Sequence, residues 1–136
     1  MPRPLTEKQW RTLLSVRVAL RGFLHWSEAQ AAGVGLTAAQ HQLLVAVRGH
    51  PGEGDPTISD VARYLFVRHH SAIGLVDRAE ALGLVQRYRD PDDQRLVRLV
   101  LTPFGHERVD ALAPAHLEEL RRLAPLLDAL VAVGND

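Results

Sequence analysis

Apolar residues recur at helical spacing along most of this chain, and they alternate with a period of two in one stretch only. The helical spacing predicts four helices in the first part of the chain, over residues 6–32, 37–48, 58–65 and 69–82. The alternating stretch follows directly and predicts two strands, over residues 84–89 and 96–101. Helical spacing then resumes at residue 103 and continues to about residue 133.

The residues at the ends of these segments are typical of helix termini. Thr6, Thr37 and Thr57 each stand immediately before a predicted helix and can cap it. Gln40, three residues after Thr37, completes a capping-box pattern. Gly83 suits the C-terminal end of the fourth helix.

Prolines divide the C-terminal helical segment. Thr102 can cap this segment, and Pro103 suits its first turn, where a missing N–H costs nothing. Because a proline in a helix interior removes a hydrogen bond, Pro114 predicts a kink and Pro125 predicts a break near residue 124. The predicted element order is therefore α-α-α-α-β-β-α-α.

This order predicts a mainly α fold of the winged helix-turn-helix type. Two short helices joined by a tight turn form the helix-turn-helix, whose second helix lies in the major groove of DNA. The hairpin that follows, with DPDDQR at its tip, is the wing. The length of 136 residues predicts a single domain, 1–136, with a winged core at about 37–102 and flanking helices at about 6–32 and 103–133.

Composition and charge narrow the function classes. Sixteen basic residues balance sixteen acidic ones, so a basic surface can arise only from local clustering. The segment 57–102 holds seven arginines and six acidic residues. The absence of cysteine excludes a disulfide scaffold, a thiolate metal site and a thiol redox switch. We see neither a secretory signal nor a membrane-length apolar run, and we expect a cytoplasmic protein with no membrane contact.

The segment 57–105 resembles the MarR family (multiple antibiotic resistance regulators) of bacterial transcription factors. The resemblance rests on three pieces taken together: LVDRAEALGLVQR after the recognition helix begins, DPDDQR at the wing, and LTPFG at the next helix start. The flanking helices have the family's order. The resemblance implies a homodimer formed by the N- and C-terminal helices. It also implies binding to pseudo-palindromic operators in double-stranded DNA, with repression relieved by a small-molecule effector.

The fourth helix supplies most of the candidate DNA contacts, because it includes residues that do not point into the core. These candidates are Arg68, His69, His70, Ser71, Gly74 and Arg78. Many relatives have a serine or threonine cap at Arg68 and a longer polar side chain at Gly74. A mid-helix glycine costs about 1 kcal/mol relative to alanine, so Gly74 either permits close approach to DNA or reflects tolerated drift. His69 and His70 suit phosphate contacts, and the alternative is that they are plain surface histidines.

The wing supplies the remaining candidates, Arg89, Asp93 and Arg95. Arg95 matches the family's wing-tip arginine, and a fixed positive charge suits a narrow minor groove. We expect Asp93 to hold its guanidinium by a charge-assisted hydrogen bond; the alternative is a solvated turn with an incidental ion pair. Three carboxylates here are unfavourable beside phosphates: Asp90, Asp92 and Asp93. We expect three nearby arginines to offset them: Arg87, Arg89 and Arg95.

The family's effector pocket lies between the dimerisation helices and the winged-helix lobe. The resemblance therefore points to His25 and Trp26 on the first helix and His41 on the second. Aromatic and imidazole groups suit a small amphipathic or anionic ligand. The alternative is that Trp26 is an ordinary core residue.

No other chemistry is indicated by the residues. The seven histidines include no H-x-x-x-H pair, so we predict no metal site and no cofactor. We find no nucleophile–base pair and no glycine-rich phosphate loop, so an enzyme is not predicted. The alternative to a DNA-binding regulator is a winged-helix module that contacts other proteins and has lost DNA binding.

Overall fold

A computed structural model describes residues 1–134 of the chain and contains the predicted elements in the predicted order. The helices are α1 (Glu7–Gly33), α2 (Ala38–Arg48), α3 (Ile58–Leu65), α4 (His69–Ala81), α5 (Pro103–Arg121) and α6 (Ala124–Gly134). The strands are β1 (Val85–Arg89) and β2 (Val97–Leu101), which form an antiparallel pair. The mainly α winged helix-turn-helix prediction is confirmed.

The elements group into two compact units. One unit comprises Met1–Gln30 together with the chain from Ala113 onward, and the other comprises Ala31–Leu112. The second unit contains the whole helix-turn-helix and the wing. The single-domain organisation stays a prediction. None of the helices within residues 1–134 is long and apolar enough to cross a membrane.

The core of the second unit is built from apolar side chains of its helices and both strands. Leu43 and Leu44 of α2 are fully buried, as are side chains of α3, α4 and the strands. Helical spacing from Leu43 and Val47 predicts that Ala39 lies on the same inward face of α2. This prediction is wrong, because Ala39 is exposed and His41 is buried instead. The buried face of α2 is centred on its leucines, so Ala39 lies at its margin.

The predicted caps are present, and two of them are more complete than predicted. Thr37 and Gln40 form the predicted capping box, with hydrogen bonds of 3.0 and 3.1 Å. Thr6 forms the same reciprocal arrangement with Gln9. Thr57 does so with Asp60, whose carboxylate accepts from the Thr57 backbone N–H at 2.9 Å. Three of the helices therefore begin with their first N–H groups satisfied by side chains.

The hairpin is attached to the helix-turn-helix at its base. Val85 pairs with Leu101 and Arg89 with Val97 across the two strands. A short extended segment before α3 adds to the outer edge of β2, since the Leu99 N–H donates to the Pro56 carbonyl at 2.9 Å. The wing and the start of α3 are thus hydrogen-bonded to each other.

Two glycines near the hairpin have defined steric roles. Gly83 ends the α4 segment with a φ of 75°, as its position predicts. At Gly105 a Cβ would lie 2.1 Å from the Leu84 carbonyl oxygen, so only glycine allows α5 to begin against the start of β1. This contact explains the glycine of the LTPFG segment.

The C-terminal helical segment is divided as predicted. α5 ends at Arg121 and α6 begins at Ala124, so the predicted break near residue 124 is confirmed. α5 continues through Pro114 as one helix.

Candidate nucleic-acid interface

The N-terminal end of α4 presents an exposed polar surface. Arg68 occupies the N-cap position and makes no side-chain cap hydrogen bond, because a guanidinium has no acceptor atom for the backbone N–H groups. Arg68, His69, His70 and Ser71 are all exposed. The structure therefore places these four predicted contacts on one accessible helix end, and their roles toward DNA stay predictions.

Gly74 and Arg78, one turn apart on α4, lie against each other. The position that a Cβ would take at Gly74 is 3.4 Å from the Arg78 guanidinium. The Arg78 side chain extends along the helix toward its N-terminus and lies in the space next to Gly74.

Arg87 joins the wing to α4. Its guanidinium contacts Asp77 and donates to Glu80 at 3.2 Å, and its backbone N–H donates to the same Glu80 carboxylate at 3.1 Å. The hydrogen bond to Asp77 raises the pKa of Arg87, with a further contribution from Glu80. The expectation that Arg87 offsets the wing carboxylates was wrong, because carboxylates of the recognition helix already engage it.

The predicted contact between Asp93 and Arg95 is present at the wing tip. The Arg95 guanidinium donates to the two carboxylate oxygens at 3.0 and 3.1 Å, and the Arg95 backbone N–H donates to the first at 3.1 Å. The guanidinium lowers the pKa of Asp93. The Arg95 side chain is 89% exposed. The wing tip therefore presents an oriented guanidinium to solvent.

Asp90 and Arg98 at the base of the wing form a pair that the sequence pattern does not predict. Arg98 donates to the Asp90 carboxylate at 2.5 Å and to the Asp55 carbonyl at 2.6 Å. The hydrogen bond from Arg98 lowers the pKa of Asp90, as do the backbone N–H groups of Asp92 and Asp93. Asp90 is therefore offset by Arg98 and not by the three arginines that we expected.

The hydrogen bonds of Arg98 extend to Asp55, which lies in the loop that precedes α3. Its carboxylate accepts a hydrogen bond from the Tyr88 hydroxyl at 2.6 Å. Asp55 lies 43 residues from Arg98 along the chain, so no local sequence signal links the two residues. The one sequence feature that singles out Arg98 is its position as a charged residue within the alternating pattern of β2. Arg89 completes the wing by donating to the Gln94 carbonyl at 2.8 Å.

The predicted effector residues are divided between the two units. His25 and Trp26 belong to the unit that holds both termini, where His25 is exposed and Trp26 is half-buried. His41 belongs to the winged-helix unit and is buried there.

Trp26 packs in a cluster with side chains whose proximity the sequence pattern does not predict. Its ring lies 4.7 Å from the ring of His116 and 6.1 Å from that of Phe23. The Ser27 hydroxyl and the His116 imidazole are 2.7 Å apart. Trp26 thus has the packing of a structural residue, and His116 is the nearest addition to the candidate ligand-binding residues.

Within residues 1–134, no group of three histidine or acidic residues is positioned to hold a metal ion. The recognition helix and the wing define a class of protein. A helix-turn-helix with an exposed recognition helix, followed by a hairpin with an arginine at its tip, is a winged helix-turn-helix.

Comparison with known proteins shows a likeness to one family of winged helix-turn-helix regulators. A model described as the MarR family matches residues 34–96. AbsC, a MarR family transcriptional regulator from Streptomyces coelicolor, is 29% identical with a TM-score of 0.71, and the match covers 98% of this chain and 97% of AbsC. These findings show that residues 34–96 match the MarR family and that the whole fold is similar to that of a MarR family regulator.

Two further comparisons extend the likeness. The HTH-type transcriptional repressor NicR of Pseudomonas putida is 33% identical over 87 residues, which cover 64% of this chain and 53% of NicR. The matched region spans about half the length of the curated relatives. The fold is also shared with MepR of S. aureus, solved in a MepR–DNA complex. That match has 21% identity and a TM-score of 0.67, and it covers 90% of this chain and 85% of MepR.

Proposed function

We propose that this chain is a homodimeric transcriptional regulator that binds double-stranded DNA through α4 and the wing, and that it acts as a repressor. The observation that carries the proposal is the wing tip, where Asp93 orients an exposed Arg95 guanidinium. The match to the MarR family over residues 34–96 supports it, and the likeness to the repressor NicR favours repression over activation.

The recognition helix and the wing have separate roles in this proposal. Arg68, His69, His70 and Ser71 approach base edges and phosphates in the major groove, as the first turn of a recognition helix does. Arg95 enters the adjacent minor groove, where a guanidinium gains from the strongly negative potential. Arg78 follows the recognition helix along the same groove, and Gly74 leaves room for it.

Hydrogen bonds within the protein hold the wing against α4 and the segment before α3 in the absence of DNA. Arg87 fixes β1 to α4, and Arg98 fixes the loop at the wing base to the segment before α3. Because these contacts set the distance between the recognition helix and the wing tip, little conformational entropy is lost when both enter their grooves.

Dimerisation is proposed to use the unit that holds both termini. α1 exposes large apolar side chains, among them Leu14, Val18 and Leu24. Leu120 of α5 and Leu127 of α6 are exposed in the same unit. Apolar surface of this extent is typical of an interface, and a two-fold dimer presents two recognition helices to a pseudo-palindromic site.

A small amphipathic or anionic effector is proposed to release the DNA. His25 and Trp26 stay candidates in the unit that holds both termini, and His116 joins them there because its imidazole lies against the Trp26 ring. His41 stays a candidate within the winged-helix unit. Indole and imidazole groups offer both an apolar surface and hydrogen-bonding atoms to such a ligand.

Selection of bound duplexes from a random DNA library tests the proposal. We expect enrichment of an inverted repeat whose half-sites lie about 10 base pairs apart, or a multiple of that, as two-fold symmetry requires. The Arg95→Ala variant should enrich the same repeat weakly. Failure of the wild-type chain to enrich any sequence would favour the protein-contact alternative.

A further inference from the structure

The turn of the helix-turn-helix carries a phenylalanine that the fold does not explain. Phe66 has a φ of 54° and a ψ of 42°, and it is the one residue other than glycine with a positive φ within residues 1–134. Its side chain is 96% exposed. Phe66 is therefore strained in its backbone without gaining burial.

The strain follows from the way α3 ends. The Val67 N–H donates to the Ala62 carbonyl at 3.1 Å and the Phe66 N–H donates to the Arg63 carbonyl at 3.3 Å. This closure of the last helical turn requires a left-handed residue, a position that glycine fills most often because it has no Cβ. An L-residue there places its Cβ too close to the following carbonyl oxygen. A glycine at position 66 would serve the fold better.

Phe66 lies close to the start of the recognition helix along the chain. Phe66 precedes His69, the first residue of α4, by three residues, so their Cα atoms lie within about 11 Å of each other. Val67 and the cationic Arg68, both exposed, lie between them. Phe66 therefore lies, exposed, just before the helix end that carries Arg68 and that the proposed function directs into the major groove. Within that groove, the thymine 5-methyl group is the apolar group that a phenylalanine contacts.

We propose that Phe66 contacts the 5-methyl group of a thymine at the edge of each half-site and so helps to determine sequence preference. The inference rests on the proposed DNA binding. It assigns the backbone strain at Phe66 to recognition, in line with the tendency of strained residues to mark functional sites.

The test replaces each thymine of the selected duplex in turn by deoxyuridine, which removes only the methyl group. Binding is measured by fluorescence anisotropy for the wild type, Phe66→Gly and Phe66→Leu. Leu82→Ala is the matched control, because Leu82 is 56% exposed at the opposite end of α4.

We expect one thymine position, which occurs once in each half-site, to be sensitive to this replacement. There, uracil should weaken wild-type binding about 4-fold for each methyl group removed. Phe66→Gly should lose a similar factor on the thymine duplex and lose nothing more on the uracil duplex. Phe66→Leu should keep part of the preference, and Leu82→Ala should match the wild type. The thermal midpoint of Phe66→Gly should rise by about 2–4 °C, because glycine relieves the strain.

Wild-type affinity and wild-type uracil sensitivity in Phe66→Gly would overturn this inference while leaving the proposed function intact. A changed sedimentation coefficient in Phe66→Gly, with unchanged sequence preference, would also overturn it and would assign the ring to a contact between protein chains. Absence of DNA binding by the wild type is a distinct result, which would overturn the proposed function and this inference together.

Discussion

At the residue scale, Arg95 tests the proposed contact between the wing and DNA. Arg95→Ala should weaken binding to the selected operator by about 10-fold or more, since a groove-inserted arginine is lost from each subunit. Asp93→Ala should give a smaller loss, because it keeps the guanidinium and only frees it to sample other rotamers. Titration of a labelled operator measures both effects.

The same variants should fold normally. Truncation of a side chain that is 89% exposed removes no core contact, so the thermal midpoint should shift by less than about 2 °C. Arg121→Ala is the control for loss of one positive charge, because Arg121 is exposed and pairs with Glu118 on α5. Unchanged operator affinity in a folded Arg95→Ala protein would remove the wing from the mechanism.

Residues close together along the chain could be predicted to interact, and residues far apart could not. Asp93 and Arg95 are two positions apart in one loop, so their hydrogen bond could be expected from charge and spacing. Arg98 reaches Asp55 only because β2 is hydrogen-bonded to the segment before α3, a pairing with no signature in either segment. The prediction that Arg87 offsets the wing carboxylates was wrong because Arg87 contacts Asp77 and Glu80 instead. These contacts depend on how β1 packs against α4, which has no local sequence signal.

At the element scale, the helix caps contribute a measurable part of the stability. Thr37→Ala removes the side-chain oxygen that accepts the Gln40 N–H, and it should lower the free energy of unfolding by about 1 kcal/mol. Thr37→Ser retains the hydroxyl and should keep most of this stability. Urea denaturation compares the three proteins, and a Thr37→Ala midpoint equal to that of the wild type would contradict the capping role.

The first turn of α3 should make part of the stability sensitive to acid. Burial acts to raise the pKa of Asp60, but hydrogen bonds from Thr57 and Arg63 and the charge of His50 leave it below its ordinary value of 3.8. Because the folded-state pKa is lowered, the ionised carboxylate stabilises the fold above about pH 4, and this contribution is lost as the pH falls through the folded-state value.

Urea unfolding at pH 6 and pH 3 checks this prediction. Asp60→Asn should be less stable than the wild type at pH 6, and the difference should shrink at pH 3. Asp92→Asn, at an exposed wing position, should match the wild type at both pH values. An Asp60→Asn difference that is equal at the two pH values would show that the ionised carboxylate does not carry the effect.

The elements themselves were predicted closely because their signals are local. Capping residues, Gly83 and the change of period each act within a few residues, and the helix bounds follow them. Burial within α2 was predicted less well, because whether Ala39 or His41 faces the core depends on the elements packed against that helix.

At the scale of the whole molecule, the chain should be a dimer. Sedimentation velocity at micromolar concentration should give one species of twice the 15.1 kDa chain mass. Leu24→Asp should shift the equilibrium toward monomer, because it places a charge in the proposed interface. Leu82→Asp, in the winged-helix unit, should remain a dimer. A wild-type chain that sediments only as a monomer would contradict the proposal.

The apolar residues near the C-terminus differ in their exposure. Leu120, Leu127 and Leu130 are exposed, whereas Val133 is buried within the single chain. Periodicity identifies apolar positions, but it cannot distinguish those covered within one chain from those left for a second copy.

The most direct test of DNA binding is a salt titration of operator affinity. Neutralisation of phosphates by arginines releases counterions, so the logarithm of the binding constant should fall linearly with the logarithm of salt concentration. With at least two phosphate contacts from each of two subunits, the slope should be about −3.6 or steeper. An operator affinity that does not change with salt, or no measurable binding even at low salt, would contradict DNA recognition by this winged helix.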